Sequence, residues 1–143
     1  MEKGMDIFVY GTLRDASIRD ALLGHSVSRV TPSTITGFQA RLVRGRDFPI
    51  IRPSPGGTTI GLILHDLSEE DVCALDKFEG DTYDLKDMTA SLPDGQEQTV
   101  KVYVDCGIYE DGGPFDFDQW VSTMRHGFIE TFMGDRGFVK PTN

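Results

Sequence analysis

The stretch TYDLKDMTASLPDGQEQTVKVYVD, residues 82–105, decides the fold class. Its two arms, Thr82–Leu92 and Gln98–Asp105, are rich in β-branched and aromatic residues, and Asp94-Gly95 between them is a strong hairpin signal. Two strands therefore follow one another with no helix between. Working upstream, Ser33–Val43 alternates apolar and polar residues, as a half-buried strand does. Phe48–Ile51 is a short apolar stretch, Pro53–Gly57 is turn or loop chemistry, and Thr58–Leu64 returns to strand-like residues. Two such consecutive strand pairs argue against a regular βαβ alternation and for an α+β fold.

The remaining segments fit around these strands. Ile7-Phe8-Val9-Tyr10 reads as a buried strand ended by Gly11. Asp15–Leu23 reads as a short helix, with Asp15 as its cap, Ile18, Leu22 and Leu23 on one face and Gly24 as its stop. Ser68-Glu69-Glu70-Asp71 resembles a capping box that opens a second helix, with Val72, Leu75 and Phe78 as its buried stripe and Gly80 as its end. Gly112-Gly113-Pro114 reads as a loop. A last helix is expected over about 118–133, carrying Trp120, Met124 and Phe128 at four-residue spacing and ending at Gly134. The expectation is one domain, 1–143, of about six strands and three helices.

The chain has 143 residues and a formal net charge of −9. Such a chain repels phosphate backbones and anionic membrane surfaces, so nucleic acid and membrane are not expected partners. Cys73 and Cys106 form no CxxC pair and read as reduced thiols. The charged opening, Met1–Asp6, has no apolar signal region, and no apolar run approaches a membrane span. Cytoplasm is the expected location, and oligomeric state is left open.

Two segments carry candidate chemistry. Tyr10-Gly11-Thr12-Leu13 lies where a buried strand runs into a loop before a helix. Gly11 permits close backbone approach, and successive N–H groups there can hold a carboxylate or a developing negative charge. A tight turn after an edge strand is the plainer reading. The second segment is Leu75-Asp76-Lys77-Phe78-Glu79-Gly80, followed by Tyr83. Glu79 faces the negative end of a helix dipole, and an apolar cleft around it would raise its pKa, which suits a general acid/base near neutrality. A solvated surface Glu is the plainer reading, and Asp76 reads as a surface or helix-supporting residue. His25, His65 and His126 match no metal or nucleophile spacing. Trp120 reads as core packing. Arg41, Arg44, Arg46 and Arg52 form a local basic patch that reads as a solvated face, though one of them suits a carboxylate.

Together the two segments resemble the γ-glutamylcyclotransferase-like (AIG2-like) family. Its members have a strand entering Tyr-Gly-Ser/Thr-Leu/Asn, here Phe8-Val9-Tyr10-Gly11-Thr12-Leu13. They also have a later Leu-Asp-x-x-Glu-Gly and then a Tyr, here Leu75–Gly80 and Tyr83. Gly37-Phe38, Phe48-Pro49-Ile50, Gly61 and Val102-Tyr103-Val104 follow in the same order, so the resemblance covers about residues 6–105. The family often has Tyr-Pro-Ala-Ile where this chain has Phe48-Pro49-Ile50-Ile51, and an Arg soon after the Tyr where this chain has Asp84 and Leu85. The final helix matches no family motif.

The resemblance implies a small curled mixed sheet or barrel with helices packed outside. It implies cyclisation of a small γ-glutamyl substrate, an amine or amino acid derivative, to 5-oxoproline, with no cofactor and no metal. In this chain it makes Glu79 the catalytic acid/base, and Tyr10, Gly11, Thr12, Leu13 and Tyr83 the substrate-binding residues. The Tyr-Gly-Thr-Leu form looks nearer the γ-glutamylamine branch. A non-catalytic binding or interaction domain on the same fold is the competing expectation.

Overall fold

The structure is a computed structural model and describes residues 4–138; residues 1–3 of the charged opening and 139–143 lie outside the described residues. Six strands are formed: β1 (Met5–Val9), β2 (Val30–Val43), β3 (Pro49–Leu67), β4 (Tyr83–Ser91), β5 (Glu97–Asp105) and β6 (Asp111–Pro114). The first five close on themselves in the order β3-β1-β5-β4-β2, with β2 returning to β3, and β6 pairs with β2 outside the ring. All neighbours are antiparallel except β1 and β5. The fold is an α+β barrel with helices packed on it.

Closure explains why β1 is apolar from Ile7 onward. Side chains alternate across a strand, and here both faces are covered. Phe8 and Tyr10 pack with Ile35, Ile63, Val100 and Val102 in one buried cluster, the barrel interior. Ile7 and Val9 pack in the other with Leu75, Phe78, Trp120 and Phe128 of the helices. Gly61 belongs to this architecture because a side chain there would begin 2.3 Å from the Val9 carbonyl and 2.6 Å from the Phe8 ring.

The helices begin where their caps dictate. Asp15 accepts the Ile18 N–H at the start of α1 (Ala16–Leu23), and Gly24 ends it with φ 78°. Ser68 and Asp71 form a reciprocal capping box on α2 (Glu69–Glu79). Gly95, with φ 87°, turns the β4–β5 hairpin.

Three expectations are corrected. Pro53–Gly57 is not a loop between strands but part of the long β3. The ladder skips there, from Thr36↔Thr58 to Phe38↔Pro53, so Ser54–Gly57 bulge out of register. Prolines cannot donate to a ladder, which is why the signal resembled a loop. Gly112–Pro114 is likewise not a loop but belongs to β6, paired to β2 through Arg41↔Pro114.

The final helix is not continuous, so among the described residues there are four helices rather than three. It divides into α3 (Phe117–Thr123), α4 (Arg125–Phe128) and a π-turn over Ile129–Met133. The Ser122 and Thr123 hydroxyls both donate to the Gln119 carbonyl, and back-bonding of this kind bends helices. Gly134 stays helical; Gly137, with φ 79°, is the left-handed residue beyond it. Among the described residues no helix is long and apolar enough to cross a membrane.

Gly61→Ala is expected to cost about 1–3 kcal/mol of unfolding free energy from overpacking. Ile60→Ala beside it, at a 62% exposed residue, should change stability by less than about 0.5 kcal/mol. Urea melts of both proteins check the contrast.

Candidate active site

The end of α2, the turn after β1 and the start of β4 meet around a cavity of about 500 Å³. Glu79 lines it, and so do Tyr10, Gly11, Thr12, Leu13 and Tyr83. All six residues singled out in the sequence are thus brought together, although they lie on three separate segments.

The turn is built by contact. After β1 the chain enters a short 3-10 turn at Thr12–Arg14, closed by the Arg14 N–H to the Gly11 carbonyl at 3.0 Å and the Asp15 N–H to that of Thr12 at 3.1 Å. The leading N–H groups of such a turn have no partner within the turn itself. Gly11 is required because Pro49 fills the space: a Cβ would lie 2.4 Å from the proline Cγ. Pro49 also accepts the Tyr83 hydroxyl through its carbonyl at 3.0 Å. One proline therefore fixes both the glycine turn and the tyrosine.

Glu79 is the last residue of α2. It is half-buried, opening onto the cavity on one side while protein packs closely around the rest. Among the described residues no donor hydrogen-bonds its carboxyl. Desolvation raises its pKa from the ordinary 4.5 to about 8, with the Arg136 guanidinium pulling it down and the Asp76 carboxylate pushing it up. A group titrating there both gives and takes a proton near neutrality.

The tyrosines around it are donors that stay protonated. Burial lifts the Tyr10, Tyr83 and Tyr103 hydroxyls well above the ordinary 10. Tyr10 donates to the Tyr103 carbonyl at 2.8 Å, and Tyr103 donates to the Asp76 carboxylate at 2.6 Å. Asp76 is exposed, and through this bond it also ties α2 to the barrel.

Several cavity residues were missed from sequence. Arg136 caps α2, donating to the Phe78 carbonyl at 3.2 Å and the Lys77 carbonyl at 3.0 Å. Its guanidinium also lies over the Phe132 ring at 4.7 Å. Phe128, Thr131 and Phe132 bring the C-terminal helical segments into the wall. Tyr109 stands edge-on to Phe48 at 5.3 Å and exchanges a hydrogen bond with Thr82 at 3.0 Å. Nothing local in the sequence marks these residues; only the packing of the last helices on the barrel assembles them. Trp120 is core, 2% exposed, and donates its indole N–H to the Asp47 carbonyl at 2.6 Å. The basic patch is not simply solvated: Arg41 pairs with Asp111, Arg44 with Glu110 and Arg52 with Asp105. Among the described residues no group of His, Cys, Asp and Glu is arranged to hold a metal ion.

Comparison with known proteins places this geometry. A family model described as gamma-glutamyl cyclotransferase, AIG2-like, matches residues 7–120. The chain belongs to this family. AIG2-like protein C of Arabidopsis thaliana is 30% identical over 130 residues, which cover 87% of this chain and 73% of that one. The solution structure of an Arabidopsis thaliana protein superposes with TM-score 0.70 at 26% identity over 95% of each chain. A structure named gamma-glutamyl cyclotransferase shares the fold, with TM-score 0.64 at 15% identity over 97% of this chain and 89% of that one. The AIG2-like match ends at Trp120, so the segment carrying Arg136 lies beyond the matched part.

The raised Glu79 pKa has a consequence for stability. The folded state holds this proton over the window from 4.5 to about 8, so stability falls as pH rises through it. Glu79→Gln removes the penalty. The variant is expected to match the parent near pH 4.5 and to exceed it by about 2–4 kcal/mol at pH 8.5, measured by urea unfolding at both pH values. A gain that does not grow with pH would show that the carboxyl is not desolvated.

Proposed function

We propose that this AIG2-like chain is a cyclotransferase that converts a γ-glutamyl amine or γ-glutamyl amino acid to 5-oxoproline and the free amine. The observation that carries the reading is Glu79, with its pKa raised to about 8, facing the same cavity as the Tyr10–Leu13 turn. Family membership supports it, since the family model is described by that activity.

In this mechanism the substrate supplies its own nucleophile. Ionised Glu79 takes a proton from the α-ammonium, and the freed amine attacks the γ-carbonyl carbon. A new C–N bond closes the five-membered lactam, and the old amide C–N bond breaks. The α-nitrogen gives up two protons in all and the leaving nitrogen gains two, so the reaction needs no net proton and no water. Glu79 carries protons between the two nitrogens, which its pKa permits in both directions. Holding the chain folded back on itself supplies much of the barrier reduction. The N–H groups of the turn receive the carbonyl oxygen as it gains charge. Tyr83, tied to Pro49, shapes the wall beside it.

The test is 5-oxoproline release from a panel of γ-glutamyl amino acids and γ-glutamylamines. Wild type is expected to release it, and Glu79→Gln to lose about 10²–10⁴-fold in rate. Ligands that bind without being consumed would replace the reading with a binding domain.

The pH dependence gives a second check. The acidic limb of kcat/KM reports ionisation of Glu79 together with that of the substrate. Arg136→Gln removes the cation that lowers the Glu79 pKa, so this limb should move to higher pH. Asp76→Asn should move it to lower pH. Substrate titration is common to both variants, so opposite displacements isolate Glu79.

A further inference from the structure

The four arginines of the basic patch do not share one role. Arg41, Arg52 and Arg44 all reach the stretch from the end of β5 to the start of β6. Arg41 donates to the Asp111 carboxylate at 2.8 Å, Arg52 to the buried Asp105 carboxylate and to the Tyr109 carbonyl at 3.0 Å, and Arg44 lies 3.5 Å from Glu110. Arg46 differs. It lines the cavity that contains Glu79, and among the described residues its guanidinium has no hydrogen-bond or ion-pair partner.

The tip that carries Arg46 is a built structure. The Val43 N–H bonds the Phe48 carbonyl at 3.0 Å and the Arg46 N–H bonds the Val43 carbonyl at 3.0 Å, with Gly45 at φ 74° completing the turn. The Trp120 indole pins the next residue through the Asp47 carbonyl at 2.6 Å, and Phe48 packs against Tyr109. The other charged groups lining the cavity are Asp47, Asp81, Arg136 and Glu79 itself. Arg136 is engaged in capping α2. Asp47 is half-buried; burial raises its pKa and the Arg46 charge acts against that from a distance, with no hydrogen bond or ion pair between the two side chains. A planar, permanently charged donor fork whose N–H groups make no hydrogen bond among the described residues, at a cavity wall, suits a carboxylate.

We propose that Arg46 binds a carboxylate on the leaving half of the substrate, so that this chain prefers γ-glutamyl amino acids to γ-glutamylamines. This rests on the cyclotransferase reading above and reverses the amine preference that the Tyr-Gly-Thr-Leu form implied.

The test compares γ-glutamyl-alanine with γ-glutamyl-ethylamine, which differ only by the carboxylate. Wild type is expected to favour the alanine compound by about tenfold in kcat/KM, the value of one charge-assisted contact at an exposed residue. Arg46→Gln should bring the ratio near one, and Arg46→Lys should keep part of it. The wild-type ratio should also fall between 50 and 500 mM salt. The same two compounds are titrated calorimetrically into Glu79→Gln, where the affinity ratio reads Arg46 without chemistry. A tenfold affinity ratio that Arg46→Gln abolishes in this background sustains the proposal even if wild type turns over neither compound, and that result would sink only the cyclotransferase reading. Equal affinity for both compounds, or a preference that survives Arg46→Gln, overturns it.

Discussion

A carboxyl group drawn largely out of water at the end of a helix is the constraint on which the rest of the site depends. Left in solvent, Glu79 would be ionised throughout the neutral range and a poor proton donor. The barrel wall, the end of α2 and the C-terminal helices strip that solvent away and raise its pKa to about 8. The fold loses stability by keeping such a group, and it limits the loss with one cation. Arg136 caps the last carbonyls of α2 and places positive charge near the carboxyl without forming an ion pair with it. A direct ion pair would hold the acid ionised and end its usefulness as a donor.

The surrounding parts each position one partner for that group. Pro49 determines both the Gly11 turn and the Tyr83 hydroxyl. Tyr103 and Asp76 tie α2 to β5, so the helix that ends in Glu79 is fastened close to that end. At the far end of the same helix, the Ser68–Asp71 capping box and the His25–Asp71 contact at 2.7 Å hold it to the chain after α1. The His25 pKa is raised by its hydrogen bond to Asp71, so this contact tightens as pH falls through the imidazole range. The aromatic wall of Phe48, Tyr83 and Tyr109 depends in turn on Arg52 and Asp105, which hold the segment bearing Tyr109.

Much of this was legible in the sequence, for local reasons. The caps of α1 and α2, the Asp94-Gly95 hairpin and the buried strand through Ile7–Val9 are encoded by neighbours in the chain and appear as read. The two motifs were also local, and the fold brings them together. What was missed is non-local. Pro53–Gly57 looks like a loop because prolines and glycines dominate it, yet β2 runs alongside and keeps both flanks in one strand. Asp111–Pro114 becomes a strand only because β2 offers it an edge. The broken final helix follows from hydroxyl back-bonding that apolar spacing does not register. Arg136 carries no motif at all, and its role exists only once the last helices dock on α2.

The most direct measurement is the titration of the Glu79 side-chain carboxyl itself, followed by its carbon-13 chemical shift and assigned by its absence from Glu79→Gln. The account requires a midpoint of about 8 in the folded protein. A midpoint near the ordinary 4.5 would mean that the carboxyl is solvated and ionised at neutrality, and Glu79 would then not be the proton carrier of this site.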